Sequence, residues 1–174
     1  MRRLAMLIVV VWLPCLAPLG HAQSTRPEAI IRAAIEQWTN DFNADRSETV
    51  CNLFAPTLRA DVRGAIERET DAQCSLLRKA LADPDRVYSY AFDLKEIVVD
   101  RDMAVARLTS TTTTRIKSTG QASTTRDQGL DIFSVDITGN WRIIRYIAYE
   151  ALRLQSNQKA IARRAERLAE PAKD

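Results

Sequence analysis

The sequence predicts an α+β fold: three N-terminal helices packed against a cone-like, curved antiparallel sheet, with a helical tail at the C-terminus. Apolar residues recur at helical spacing between Pro27 and Leu81, and from Val87 to Tyr149 they alternate in segments separated by turn residues. Because the helices come first and the strands follow in one run, we expect the helices to cover one face of the sheet. A sheet that curves around a helix leaves a pocket.

The first helix is predicted from Pro27, whose missing N–H costs nothing in a first turn, to about Ala44. Five residues recur at a spacing that puts them on one face of a helix. They are Ile31, Ala34, Ile35, Trp38 and Phe42. This apolar stripe is expected to face the sheet.

Two further helices are predicted before the strands begin. Ser47 can cap a short helix that Pro56 ends. The capping-box pattern of Thr70–Gln73 predicts a longer helix, which stops before Pro84.

The strands are predicted from alternation and from strand-forming residues such as Val and Thr. After a short strand or turn over 58–63, they cover about 87–98, 103–116, 124–137 and 141–149. In the first long strand, one face is expected to carry Tyr88, Tyr90, Phe92, Leu94 and Val98.

The first 22 residues have the three parts of a cleavable signal peptide. Arg2 and Arg3 supply a positive start, Leu4–Leu13 is apolar, and Gly20–Ala22 resembles a cleavage site. The apolar run is too short to span a membrane. We therefore expect a secreted, periplasmic protein with no stable membrane anchor after cleavage, a domain over 23–150 and a basic helical tail over 151–174.

Cleavage would remove His21, the single histidine of the chain. This excludes Ser-His and Cys-His nucleophile pairs and histidine-ligated metal sites from the mature protein. Cleavage would also take two of the 25 basic residues and none of the 22 acidic ones, which leaves a net charge of +1. No nucleic-acid partner is expected, because the domain before the tail is slightly acidic.

The two cysteines that remain are Cys51 and Cys74. Thiols oxidise outside the cytoplasm, so we expect a disulfide between them. The alternative is a pair of buried thiols that pack as small apolar residues on neighbouring helices.

The order of these elements resembles the nuclear transport factor 2-like superfamily, specifically its ketosteroid isomerase-like and SnoaL-like branch. The matching pieces are the D-x-A-x-x strand opening of Asp102–Ala106, Asp131 inside the third long strand, and the Gly-Asn-Trp hairpin of Gly139–Trp141. The resemblance covers Glu28 to Glu150.

The resemblance implies a cone-shaped fold with a pocket between the first helices and the concave sheet, and a possible homodimer through the sheet. The superfamily includes isomerases, dehydratases, hydrolases, transport factors and domains without known activity, so the fold does not choose a function. SnoaL-like enzymes usually have a His-Asp arrangement, for which this chain lacks the histidine. Ketosteroid isomerases use a tyrosine and two aspartates, but no motif here assigns those roles.

Two aspartates are candidate catalytic residues. Asp41 lies about one helical turn from Trp38, and it is either a pocket carboxylate with a raised pKa or a solvated rim residue. Asp131 interrupts an apolar strand, and a charge there requires a partner or a pocket. Arg145 and Tyr149 share one face of the last strand and are candidate partners for Asp131.

The predicted ligand pocket therefore has six candidate residues: Trp38, Asp41, Asp131, Arg145, Tyr149 and Tyr90. The leading hypothesis is a domain that binds a small, partly apolar ligand without catalysis. The rival is an isomerase or dehydratase that uses Asp131 or Asp41 as general base, with Tyr or Arg stabilising developing negative charge. A dimeric interaction module without ligand is the third hypothesis; no cofactor and no metal are expected.

Overall fold

The computed structural model describes residues 26–151. The predicted signal peptide and the tail from residue 152 onward lie outside the described residues. Within 26–151, no helix is both long enough and apolar enough to cross a membrane.

Two helices and six strands make up this part of the chain. They are α1 (Pro27–Asn43), β1 (Phe54–Val62), β2 (Arg68–Glu69), α2 (Thr70–Leu81), β3 (Arg86–Asp100), β4 (Met103–Ile116), β5 (Ala122–Val135) and β6 (Trp141–Glu150). The strands form one sheet in the order β2-β1-β6-β5-β4-β3. All neighbouring strands are antiparallel except β1 and β6, which are parallel. The α+β prediction and the four long strands are confirmed.

The predicted second helix is wrong, because residues 47–53 form turns. The amide of Asn52 bonds to the carbonyl of Thr49, and the amide of Phe54 bonds to that of Cys51. Fewer than ten residues are available here, and so short a helix does not offset its costly nucleation. From Phe54 the chain pairs with β6 instead.

Thr70 also differs from its predicted role as a helix cap. Helix α2 follows Glu69 without a side-chain cap. The Thr70 hydroxyl donates instead to the carbonyl of Ala55 (2.9 Å) and accepts from the amide of Leu58 (3.2 Å). It therefore ties the start of α2 to β1.

Register shifts, including β-bulges, bend the sheet and change which residues face inward. In β3 the pairing with β4 shifts at Lys95, between Leu94 and Glu96. Val98, which was expected to share the face of Tyr90 and Leu94, is 60% exposed as a result. Its neighbours Ile97 and Val99 pack against the core instead. An extra residue in one strand reverses the alternation beyond it and increases local twist.

The helices are fastened to the sheet by side-chain contacts and by a covalent bond. The Asn43 side-chain amide, at the end of α1, donates to the backbone carbonyl of Tyr90 (2.8 Å) and accepts from its backbone N–H (2.7 Å). It therefore pairs two backbone groups of the edge strand β3. The Cys51–Cys74 disulfide is formed, with 5.8 Å between the Cα atoms. It links the turn after α1 to α2, so Cys51 lies in a turn and not on a helix.

Candidate functional site

A cavity of about 210 Å³ lies between the two helices and the inner face of the sheet. Its walls are mainly aliphatic and aromatic side chains from α1, α2, β1, β3 and β6. A small polar group is set among them, consisting of Gln73, Tyr88, Tyr90, Thr112, Asp131 and Tyr146. A mostly apolar cavity with few polar groups is the usual form of a small-molecule site.

The aromatic wall of the cavity is fixed in place. The Trp38 ring meets Tyr90 edge-on at a centroid distance of 5.0 Å and stacks on Phe42 at 5.4 Å. Its indole N–H donates to the carbonyl of Val50 (2.7 Å). Trp38 and Tyr90 both line the cavity, and the indole hydrogen bond fixes the orientation of the Trp38 ring.

Asp131 is the acidic group of the cavity. It is 5% exposed, and its Oδ1 has no hydrogen-bond partner among the described residues. In the sheet it lies between Ala106 of β4 and Tyr146 of β6. Burial raises the pKa of the Asp131 carboxyl to about 7, because an apolar environment disfavours the charged form. The group is therefore able to hold or release a proton near neutral pH.

Two tyrosines lie close enough to Asp131 for its charge to affect their pKa values. Burial and then the Asp131 charge raise the pKa of Tyr146. Burial, followed by the neighbouring Tyr146 and then Asp131, raises the pKa of Tyr90 well above its usual value. Both hydroxyls therefore stay protonated at neutral pH and are available as hydrogen-bond donors.

A second buried carboxylate, Asp127, lies on the same face of β5. Its two oxygens accept from Nε and Nη2 of Arg63 at 2.9 and 2.8 Å. This forked pair satisfies the carboxylate. Both oxygens of Asp127 are therefore bound by Arg63, and Asp127 is not among the residues that line the cavity.

Asp41 does not line the cavity. It is buried, and it accepts from the Gln37 amide (2.8 Å) and the Arg46 guanidinium (2.9 Å). Although burial opposes it, hydrogen bonds from Thr49, Gln37 and Arg46 lower the pKa of Asp41. The predicted raised pKa at Asp41 is therefore wrong, and its contacts are those of a structural carboxylate.

Arg145 and Tyr149 lie on the outer face of the sheet, away from Asp131. The bulge at Ile144 pairs Arg145 with Ile132 and places Tyr146 opposite Asp131. The Arg145 guanidinium donates to the carbonyl of Ile144 (2.7 Å), and the Tyr149 hydroxyl donates to Asp61 (2.8 Å). The predicted Asp131–Arg145 pair is not formed.

The sequence prediction missed Tyr146, Gln73 and the Arg63–Asp127 pair. Tyr146 was missed because strict alternation along β6 gives it the outer face. Gln73 was recognised only as part of a capping box, although it is 5% exposed and lies on the inward face of α2 with Leu77. A glutamine among inward apolar positions was the signal that could have found it.

The described residues contain no group of three His, Cys, Asp or Glu side chains that could hold a metal ion. What residues 26–151 place in the cavity is one carboxyl group with two hydroxyl donors nearby. Such a set can exchange a proton with a bound molecule and stabilise charge on its oxygen.

Known structures share this architecture. A ketosteroid isomerase-like protein from Erwinia carotovora atroseptica SCRI1043 is 21% identical, with a TM-score of 0.61 over 72% of this chain and 97% of that chain. A scytalone dehydratase-like protein from Novosphingobium aromaticivorans DSM 12444 is 15% identical, with a TM-score of 0.60 over 71% and 83%. A nuclear transport factor 2-like superfamily protein from Salmonella enterica serovar Typhimurium LT2 is also 15% identical, with a TM-score of 0.60 over 71% and 90%.

No protein-family model and no curated protein sequence matches the chain. The structural likenesses show that the chain has the nuclear transport factor 2-like fold, which confirms the fold implied by the sequence resemblance. Sequence identity below 25% supports a shared fold only, so the function has to be argued from the site.

Proposed function

We propose that this protein binds a small, mostly apolar molecule in its cavity and that Asp131 exchanges a proton with it. The observation that carries the proposal is a carboxyl group in an apolar cavity, buried and with one oxygen unpartnered in the described part of the chain. A buried polar group without a partner is costly to the fold. A ligand that hydrogen-bonds Asp131 offsets that cost.

The volume limits the ligand to about one ring. A dry cavity of about 150 Å³ accepts benzene, whereas sites for drug-sized molecules measure about 300–1,000 Å³. At about 210 Å³, the cavity fits a substituted six-membered ring and is too small for a multi-ring compound. An interaction module whose interior is filled by side chains is disfavoured by the same volume.

The chemistry that suits the site is a proton transfer next to a carbonyl or hydroxyl group. Asp131 would remove a proton from carbon, a tyrosine hydroxyl would donate to the oxygen that becomes negative, and Asp131 would return the proton elsewhere. No other reactant is needed for such an isomerisation. The names of two structural neighbours, ketosteroid isomerase-like and scytalone dehydratase-like, agree with this class of reaction.

The test is hydrogen–deuterium exchange at the carbons beside the carbonyl of cyclohexanone, followed by proton NMR in D₂O. The protein is expected to accelerate the exchange, and Asp131→Asn to lower that acceleration by about 100-fold or more, the usual range for a lost acid–base group. Asp93→Asn removes an exposed carboxylate that pairs with Lys95 and is the matched control. Equal exchange with the protein and with the Asp131→Asn variant would contradict the catalytic role.

Binding without turnover is the second candidate function. It is favoured because no described side chain hydrogen-bonds Oδ1 of Asp131, so no described group is placed to pass a proton to or from that oxygen. In that case cyclohexanone binds, its line widths change on titration, and no exchange above the buffer rate is seen.

A further inference from the structure

A positively charged side chain lies at the end of a row that crosses the inner face of the sheet. Pairing aligns Arg68 with Ala60, Ala60 with Tyr146, and Tyr146 with Asp131. Residues that pair directly in a sheet project to the same face, so Arg68 and Asp131 lie on one face, three strands apart. Ala60, which lies between Arg68 and Tyr146 in this row, is fully buried.

Arg68 lies beside the cavity and contacts a residue of its wall. Its Nε donates to Oε1 of Gln73 (2.8 Å), and Gln73 is a buried residue of the cavity wall. The Arg68 charge also acts on Tyr146, where it opposes the rise in the tyrosine pKa. The guanidinium is therefore near two polar residues of the cavity.

Arg68 is not neutralised by the residues around it. Arg63 forms its forked pair with Asp127, and Arg59 on the outer face pairs with Glu69. Among residues 26–151 no carboxylate forms an ion pair with Arg68, and Gln73 is the one hydrogen-bond partner of its side chain. Two guanidinium nitrogens remain to bind a ligand.

We propose that Arg68 binds a carboxylate of the ligand, so that the preferred ligand is a small apolar acid. This inference rests on the proposed function and names its substrate class: a single ring or branched chain with a carboxylate at one end and the group that meets Asp131 at the other. Neighbouring strands are about 4.8 Å apart, so about 14 Å separates the Cα atoms of Arg68 and Asp131. A ligand held by both residues spans the part of this distance that the two side chains do not cover. A planar guanidinium matches a carboxylate through two parallel hydrogen bonds.

Two probes of nearly the same shape, one charged and one neutral, test the inference. Cyclohexanecarboxylate and cyclohexanecarboxamide are titrated into the purified protein by calorimetry at pH 7. The carboxylate is expected to bind at least about tenfold more tightly, the usual gain from a hydrogen bond to a charged group. Arg68→Gln removes the charge but keeps a donor near Gln73, and it is expected to reduce the ratio to below about twofold.

Arg59→Gln is the matched control, since Arg59 is one residue from Ala60 but lies on the outer face, opposite Arg145. It should leave the ratio unchanged. A wild-type affinity ratio near one, or an undiminished ratio in Arg68→Gln, would overturn the role of Arg68. If the amide still binds to the wild type in that case, the proposed function stands. If neither probe binds, the proposed function and this inference both fail.

Loss of folding in Arg68→Gln would show as a lost melting transition. In that case the test uses the affinity ratio of the wild type together with that of Arg68→Lys. The lysine keeps the positive charge but lacks the two parallel N–H donors of the guanidinium. The ratio for Arg68→Lys is expected to fall between those of the wild type and one, and a lysine variant equal to the wild type would contradict paired hydrogen bonding.

Discussion

Asp127 and Asp131 are four residues apart on β5, face the same side of the sheet, and are 7% and 5% exposed. Arg63 binds both oxygens of Asp127, whereas one oxygen of Asp131 has no partner among the described residues. The two carboxyl groups are therefore buried to nearly the same extent, but within residues 26–151 only Asp127 has a charged partner. A buried carboxylate with a fixed counter-ion holds the fold together, while one that opens onto a cavity is available to a ligand.

The largest expected effect comes from Asp131→Asn, measured as stability against pH. Burial raises the pKa of Asp131 to about 7 in the folded protein, while the unfolded chain keeps a value near 4. Between about pH 4 and pH 7 the folded state therefore binds more protons, and the free energy of unfolding of the wild type falls as pH rises. At pH 8 the variant is expected to be more stable than the wild type by up to about 4 kcal/mol.

Urea unfolding at pH 4 and pH 8 checks this prediction. The two proteins should be nearly equal at pH 4, where the carboxyl group is neutral in the folded state and only about half ionised in the unfolded chain. An asparagine variant that is less stable than the wild type at pH 8 would show that Asp131 stabilises the fold through a partner, as Asp127 does.

The next effect concerns the disulfide, because α2 carries the wall that keeps Asp131 dry. Cys51→Ala with Cys74→Ala is expected to lower the free energy of unfolding by about 3 kcal/mol, from the 23-residue separation of the two cysteines. Water that reaches the loosened cavity should also lower the pKa of Asp131. Thermal unfolding of the double variant beside the oxidised wild type measures the first effect, and an unchanged melting temperature would contradict it.

Arg63→Met should cost about 2–3 kcal/mol of stability, because it leaves the buried Asp127 carboxylate unpaired. The figure lies at or below the roughly 3–5 kcal/mol of a fully buried pair, since the Arg63 side chain is 41% exposed and partly screened by water. Arg107→Met, which breaks the exposed pair with Glu96, is the control and should change stability by less than about 1 kcal/mol. If chemical denaturation gave equal losses of stability for Arg63→Met and Arg107→Met, the Arg63–Asp127 pair would be no more important to the fold than an exposed ion pair.

The smallest effect is expected from Tyr146→Phe. The raised pKa of Asp131 is caused by burial, so removal of the neighbouring hydroxyl should move the titration midpoint by no more than about half a unit. Carbon-13 NMR of the Asp131 carboxyl in the variant measures the shift. A midpoint that moves by two units would mean that Tyr146, rather than burial, sets the protonation of the site.

Much of the fold was predictable from the sequence, because α1 keeps a helical period of apolar residues and β4 is rich in strand-forming Val and Thr residues. Asp131 was predictable for the same reason, since it breaks an apolar alternation. The rest depended on β-bulges, which leave no clear mark in a sequence. The extra residue Ile144 turns Arg145 outward and Tyr146 inward. The extra residue Lys95 turns Val98 outward. The Arg63–Asp127 pair joins positions 64 residues apart, a distance at which local patterns carry no information.

The carboxyl titration of Asp131 in the wild-type protein tests most directly that this group is buried, unpaired and ready to exchange a proton. Carbon-13 labelling of aspartate, with Asp131→Asn to assign the signal, gives the midpoint between pH 3 and pH 9. A midpoint near 7 is the expected result. A midpoint near 4, the value of an ordinary solvated aspartate, would contradict it.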